Sequence, residues 1–421
     1  MKILQDMFDK IVAEKITHEQ IATIAITNCL EQKGIRLTQE QKNKLKEDIV
    51  KKGIQDLSIS FEDSQLPAEY LPKGSDDLHN IFVDIDAEVD IEKIAQTFID
   101  KISECIPDLI SKEGELIADK LVKNAKKMLK DRHSITDEYE STIYGIWAKA
   151  LDLLETTIVI ASETGEDFNK ELRENPIPEK SHMIEVMTRL HARACQVASE
   201  ILTLLKKGYP DGAHARWRCL YEIQSVLHFI ADFGEETAEK YLLHQWVESY
   251  KAAILYQNDC ERLGYEPMSQ EEIDILKDKR DKLLERYGQD FNGNYGWAAA
   301  ETGNRNPTFK EIEKHIKMDH MRSFYKMASH NVHANPKGML FKLGLSHTKP
   351  NILLIGPSYL GLNEPGQGAA ISIYQATTAL LAIDSNMDSL VACNILERFT
   401  RKTMDAFVEV HETIDKEVET K

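Results

Sequence analysis

The chain has 421 residues, 42% hydrophobic and 29% charged, a composition typical of globular proteins that excludes disorder over the whole length. Asp and Glu outnumber Lys and Arg by 70 to 52, which gives a formal net charge of -18. Because a strongly acidic molecule repels phosphate groups, we do not expect it to coat nucleic acids or anionic membranes, although a local basic pocket is compatible with this charge.

The cysteine pattern and the first residues favour the cytoplasm. The six cysteines stand singly, with no C-x-x-C spacing, so reduced thiols are the simplest expectation. Asp6, Asp9 and Lys10 interrupt the apolar stretch that a signal peptide would need. No continuous apolar run of about twenty residues is present for a membrane helix. We therefore expect a cytoplasmic protein with no membrane partner.

Helical periodicity dominates the first half of the chain. Thr17 and Thr38 each precede a short amphipathic segment and are expected to cap it, which predicts N-terminal helices over residues 1–57. Prolines and Ser-Asp pairs over 58–90 predict a linker or an irregular segment. Helical patterning resumes over 91–175 and predicts a helical arm.

The second half is predicted to be a C-terminal helical domain over 180–421. Two apolar runs joined by H-T-K-P predict one short β-hairpin near 339–357, so the fold class is mainly α, a multi-helix bundle with one hairpin. The last helix carries a mostly apolar seam at three- and four-residue steps, for which we prefer a homodimer and keep docking onto the chain's own core as the alternative. The seam consists of Leu396, Phe399, Thr403, Ala406, Val410 and Ile414.

One polar stripe is expected on the segment PDGAHARWRCLYEIQSVLHFIADF, residues 210–233. Its apolar residues cover so much of the circumference that other helices should surround it. Arg218, Glu222 and Ser225 recur at spacings of four and three and share one face. A charged pair inside a bundle is costly unless it is hydrogen-bonded. These residues therefore form either a satisfied intrahelical ion pair or the wall of a polar pocket.

A second polar stripe lies in MDHMRSFYKMASHNVHANPKG. Arg322, Tyr325, Ser329 and His333 recur at three, four and four residues, which places them on one helical face. Because a proline follows at 336, the helix should end within a residue or two of His333. The helix dipole there favours a protonated imidazole, so His333 is the best acid or base candidate, with a plain capping role as the alternative.

Signals for metals and cofactors are weak. His330 and His333 lie three residues apart, a spacing at which two side chains can share a metal, but no H-E-x-x-H motif is present. The chain also has no Walker A, G-x-G-x-x-G or G-x-S-x-G motif. We therefore expect no metal and no cofactor, and His330 is a candidate binding residue only.

Several short motifs occur in an order that resembles a bacterial family classified as a domain of unknown function, number 5677. They are A-R-A at 192–194, G-Y-P-D-G-A at 208–213, R-x-R-x-L-x-E at 216–222, Y-G-W at 295–297 and Y-x-x-x-S-x-x-x-H at 325–333. The resemblance runs from about Ile184 to Ile383 and covers about half of the chain. It implies an α-helical intracellular domain with no assigned activity.

The S-x-x-x-H helix is also similar to helical ribonuclease domains of the HEPN type. In those domains an arginine and a histidine four to six residues later form a composite site across a dimer. This sequence departs from that pattern, because Arg322 lies too far before His333 and Lys326 stands at the matching distance instead.

These observations leave two functional hypotheses beside a purely structural role. The first is a module that binds an unknown protein or small-molecule partner in a polar interhelical pocket. Its residues would be Arg218, Glu222, Arg322, Tyr325, Ser329, His330 and His333. The alternative is a metal-independent, HEPN-like ribonuclease, or another phosphate-directed enzyme, in which RNA would be a substrate. There the catalytic candidates are His333 for proton transfer, with Arg218 and Glu222 beside it.

Overall fold

The computed structural model describes residues 17–53, 57–71, 91–345 and 353–419. Helices dominate these ranges, so the prediction of a mainly α-helical chain is confirmed. The chain divides into two compact units, Met1–Asp131 and Arg132–Lys421. The four-part division predicted from the sequence stays a prediction.

Threonine caps begin the two short helices of the first unit. α1 (His18–Gln32) and α2 (Gln39–Lys52) each follow a capping box in which the side chain of Thr17 or Thr38 accepts a backbone hydrogen bond. The cap satisfies an N–H that has no partner within the helix, and both predicted caps are confirmed. Leu45 of α2 is buried in a small core that both helices share.

The longest helix, α3 (Ile91–Glu174), has 84 residues, and the division between the two units falls within it. It ends two residues before Pro176, whose ring would clash with the preceding turn of a continuing helix. In its second-unit portion, Trp147, Leu151 and Leu154 are fully buried. These side chains anchor this part of α3 in the core of the second unit.

The second unit continues with helices that are joined mostly by short turns. They are α4 (Ser181–Lys206), α5 (Pro210–Phe233), α6 (Glu235–Leu243), α7 (Gln245–Leu263), α8 (Gln270–Tyr287), α9 (Ala299–Thr302), α10 (Phe309–His315), α11 (Arg322–Val332), α12 (Pro336–Leu340), α13 (Asn363–Leu381) and α14 (Met387–Glu419). Short 3-10 helices lie at Asp63–Gln65, Ala68–Tyr70, Pro178–Lys180, Gln289–Asn292, Gly296–Ala298 and Asp319–Met321.

α5 lies at the centre of the second unit, in contact with α4, α11 and α13. The prediction that other helices surround it is confirmed. α13 carries one charged residue, Glu364, and approaches α5 closely at Gly368, where a Cβ atom would lie 2.7 Å from the indole nitrogen of Trp217. Within the described ranges, no helix is both long and apolar enough to cross a membrane.

The predicted β-hairpin near 339–357 is wrong for the residues that the structure describes. Met339 and Leu340 belong to α12, which Pro336 begins and the Asn335 side chain caps. Residues 341–345 and 353–357 form no strand, and residues 346–352 lie outside the described residues. Ile355 is 98% exposed, whereas a strand in this position would need one face packed on the core.

The apolar seam of α14 packs mainly on the chain's own second unit. Leu396 and Ala406 are buried in the main core, and the Thr403 hydroxyl lies 3.2 Å from that of Thr157 in α3. Ile414 is also buried in this core. The expected homodimer stays a prediction, but these seam residues are already covered by their own chain.

Two buried histidines make the stability of the second unit depend on pH. His191 is 4% exposed, with Nε2 2.9 Å from the Thr377 hydroxyl. His214 is 2% exposed and stacks on Trp217 at a centroid distance of 5.5 Å. Burial lowers the pKa of each histidine to about 4. Both imidazoles are therefore neutral in the folded protein at pH 5.

The free energy of unfolding is expected to fall by about 2 kcal/mol per histidine between pH 7.5 and pH 5. In this interval the unfolded imidazole takes up a proton that the buried one does not, so acid favours unfolding. Urea titrations of His191→Gln and His214→Gln should each show a flatter pH profile than the natural chain. His411→Gln, on a half-exposed side chain, is the control and should not flatten it. Parallel profiles for all four proteins would contradict the prediction.

Candidate functional site

α5 and α11 bring three of the predicted site residues into direct contact. The Arg218 Nε atom lies 3.1 Å from Glu222 Oε1, one turn along α5. The Tyr325 hydroxyl donates a hydrogen bond of 2.5 Å to the same carboxylate oxygen, although the two residues are 103 positions apart. The Arg218 guanidinium carbon lies 4.8 Å from the centre of the Tyr325 ring. Glu222 thus joins the two predicted stripes.

Arg322 extends this contact on the α11 side. Its guanidinium carbon lies 5.1 Å from the Tyr325 ring centre, and Nη1 forms an ion pair with Glu313 of α10. Glu313 is fully buried, and the Tyr221 hydroxyl lies 3.1 Å from its Oε1 atom. We call Arg218, Glu222, Glu313, Arg322 and Tyr325 the charged cluster.

Glu313 and Tyr221 lie at the site but were not among the residues predicted from the sequence. Glu313 directly follows the buried Ile312 and belongs to the same face of α10 as Phe309, an unusual position for a carboxylate. That position was the available signal. Tyr221 stands among apolar residues of α5, and nothing in its sequence surroundings distinguishes it from an ordinary core aromatic.

Burial keeps both tyrosines of this region as neutral hydrogen-bond donors. Desolvation raises the pKa of Tyr325, and the neighbouring Glu222 carboxylate raises it further. Desolvation and Glu313 do the same for the pKa of Tyr221. Desolvation also raises the pKa of Glu313, while its ion pair with Arg322 opposes that shift. The Tyr221 and Tyr325 hydroxyls therefore donate hydrogen bonds, which Glu313 and Glu222 accept.

Aromatic rings form one wall beside the charged cluster. The Tyr325 ring centre lies 5.1 Å from that of Phe309 and 5.9 Å from that of Tyr221. Tyr295 lies next to Phe309, and its burial raises the pKa of its hydroxyl to about 12. Such a wall lowers the local dielectric and strengthens the charge interactions beside it.

Two buried polar atoms of α5 and α11 have no hydrogen-bond partner among the described residues. Arg322 Nε and Gln224 Oε1 are buried, and neither has a hydrogen-bond partner among the residues that the structure describes. Buried polar groups of this kind are uncommon in folded proteins.

The remaining predicted residues do not join the cluster. Ser225 and Ser329 each donate to a carbonyl four residues earlier, that of Tyr221 and that of Tyr325, at 2.7 Å. His330 is half-buried, and its carbonyl oxygen packs on the backbone of Gly338. Its side chain forms no hydrogen bond that involves another described residue.

His333 lies just beyond α11. The helix ends at Val332, as predicted, and His333 is its C-terminal cap, with extended dihedral angles φ −106° and ψ 151°. Its side chain is exposed, so the change of backbone direction removes it from the face shared by Arg322, Tyr325 and Ser329. The acid or base role suggested for His333 stays a prediction.

The same described ranges contain no group of three or more His, Cys, Asp or Glu side chains placed to hold a metal ion. The charged cluster itself alternates cations with carboxylates, and an arginine beside a carboxylate competes with a metal for its oxygens. What this arrangement can offer a ligand is hydrogen-bond donors and guanidinium charge.

Comparison with known proteins identifies part of the chain. Residues 184–349 match the Family of unknown function (DUF5677). No curated protein and no solved structure matches the chain. The similarity to HEPN-type domains therefore stays a prediction. The match ends before Ile383, the end of the resemblance seen in the sequence, but it contains every residue of the charged cluster. The match to the Family of unknown function (DUF5677) is thus confined to residues 184–349, less than half of the chain.

Proposed function

We propose that this chain is a binding module and that the charged cluster holds an anionic group, a carboxylate or a phosphate, of its ligand. The proposal rests on one observation: the guanidinium groups of two arginines lie against the ring of the same tyrosine. Arg218 and Arg322 both lie within about one side-chain length of the Tyr325 ring, at 4.8 and 5.1 Å, and both are partly exposed. Guanidinium groups recognise carboxylates and phosphates through paired N–H donors.

The contacts within the charged cluster support a role in binding an anion, beyond a role in stabilising the fold. Each arginine is held in place by one carboxylate, Arg218 by Glu222 and Arg322 by Glu313. The side chains of Arg218 and Arg322 remain 23% and 30% exposed, so an anion can reach them from solvent. Preorganised donors of this kind bind at a smaller entropic cost than free surface arginines.

We also propose a subcellular location and a bacterial source for this binding module. Cys195, Cys219, Cys260 and Cys393 are free thiols, which is the state expected in a reducing compartment. The resemblance stated above implies a bacterial intracellular protein. We therefore place the proposed binding module in the bacterial cytoplasm.

Inorganic phosphate and acetate are the probes for this site. We expect one or both to raise the unfolding temperature of the natural chain, beyond the effect of NaCl at equal ionic strength, and to do so saturably. Arg218→Ala and Arg322→Ala should lose that saturable part. Because phosphate also stabilises proteins by exclusion from their surface, a control variant is required.

Arg401→Ala is the control, since Arg401 is an exposed residue of α14 paired with Glu397 one turn away. It should keep the full saturable shift. An equal response of the natural chain, both cluster variants and the control to each anion would contradict the proposed site. Isothermal titration at the concentration of half-maximal shift would then measure the affinity directly.

A further inference from the structure

An exposed apolar stripe lies on α3 within the first unit. Ile110, Ile117, Leu121 and Met128 are 66%, 41%, 60% and 56% exposed. They recur at spacings of seven, four and seven residues, which places them on one face of the helix over about five turns. A contiguous apolar stripe of this kind is typical of a helix that packs against another helix. We call these four residues the α3 stripe.

Small residues on the same face would allow a close approach. Gly114, Ala118 and Ala125 lie along one side of the stripe on the helical wheel. A Cβ atom added at Gly114 would have no heavy atom within 4 Å, so the space above this residue is open. A second helix could therefore pack directly on this face.

The charges of residues 108–131, the part of α3 that contains the stripe, are divided between its two halves. The first half, residues 108–119, carries four carboxylates and one lysine: Asp108, Glu113, Glu115, Asp119 and Lys112. The second half, residues 120–131, carries five lysines and one carboxylate: Lys120, Lys123, Lys126, Lys127, Lys130 and Asp131. On the helical wheel, Glu113 of the first half and Lys120 and Lys127 of the second half lie beside the stripe, all on the same side of it. Such a segment is complementary to a reversed copy of itself.

We infer that the α3 stripe is the docking surface for a second copy of this chain, with the two helices antiparallel. In this orientation Ile110 faces Met128 of the second copy and Ile117 faces Leu121 of the second copy. Along the common axis of the pair, Glu113 then lies about half a helical turn from Lys127 of the second copy. The long lysine side chain can span this offset. A parallel pair would instead bring basic half against basic half, which costs free energy.

Leu121→Asp in the full chain tests the surface. In sedimentation equilibrium at low salt, the natural chain is expected to dimerise, and the variant should raise the dimer dissociation constant at least 100-fold. Leu255→Asp is the control, because Leu255 is 65% exposed on α7 of the second unit. A natural chain that is monomeric at all concentrations, or a Leu121→Asp variant that dimerises as before, would overturn the inference.

The orientation is tested by exchanging charges, which leaves the apolar stripe intact. Glu113→Lys and Lys127→Glu should each weaken the dimer about tenfold, because each places like charges together across the interface. The double variant should recover most of the natural affinity, since the pair is restored with reversed signs. Higher salt should weaken the natural dimer. Purely additive effects in the double variant would exclude the antiparallel arrangement.

Discussion

Arg322→Met is expected to lower the free energy of unfolding by about 3 kcal/mol at pH 7. Without Arg322, the fully buried Glu313 carboxylate loses its cation and must either stay charged in a low-dielectric site or take up a proton. Holding a glutamic acid protonated at pH 7 costs about 3 kcal/mol, which sets the scale of the loss. Urea unfolding monitored by circular dichroism measures it.

The dependence on pH identifies Glu313 as the cause. Burial raises the pKa of Glu313 in the folded chain, so this group binds protons more readily folded than unfolded, and its contribution to stability falls as the pH rises above its unfolded pKa. The deficit of Arg322→Met should therefore shrink between pH 7 and pH 5. Adding Glu313→Gln to the same variant should recover most of the stability at pH 7. A deficit that neither acid nor the second substitution reduces would contradict this account.

Trp147→Ala is expected to cost about 3–5 kcal/mol, the range for removing a fully buried aromatic side chain. Trp147 is 0% exposed, and its indole nitrogen donates a hydrogen bond of 2.8 Å to the Tyr359 carbonyl. Its ring centre lies 5.7 Å from that of Phe407 in α14. The substitution therefore leaves a cavity where α3, α14 and the segment before α13 meet.

Two further substitutions separate what the aromatic ring of Trp147 and its indole hydrogen bond contribute to the free energy of unfolding. Trp147→Phe keeps a ring beside Phe407 but loses the indole donor and part of the volume, so it should cost about 1–2 kcal/mol. Trp246→Ala is the matched control, because Trp246 is only half-buried. The Lys279 ammonium lies 3.5 Å from the centre of its ring. Its loss should be clearly smaller than that of Trp147→Ala. Equal losses for the two alanine variants would refute the assignment of Trp147 to the core.

Features that depend on neighbouring residues were predictable from the sequence. The caps at Thr17 and Thr38 and the end of α11 near His333 follow from interactions within a few residues. The burial of α5 was predictable because apolar residues cover most of its circumference. The hairpin prediction failed because an apolar run predicts a strand only if a partner and a core face are available. Those conditions are not visible in the run MLFKLGLS itself.

The contacts of the charged cluster were likewise predictable only within one helix. Helical spacing placed Arg218 beside Glu222, and Arg322 on one face with Tyr325, because positions three and four apart meet on any helix. The hydrogen bond between Tyr325 and Glu222 was anticipated only as a meeting of two stripes. Glu313 was missed, since an ion pair between α10 and α11 depends on how a short connection turns.

Local hydrogen bonding and side-chain periodicity thus specify which segments of this chain are helical and which polar residues share a face. Packing between helices then selects the contacts: Tyr325 reaches Glu222, Arg322 reaches Glu313, and the cap geometry turns His333 out to solvent. The physical reason is that the two kinds of interaction join residues at different separations along the chain. Backbone and one-turn interactions act between near neighbours, whereas burial and desolvation depend on residues far apart in the chain, whose proximity exists only after folding.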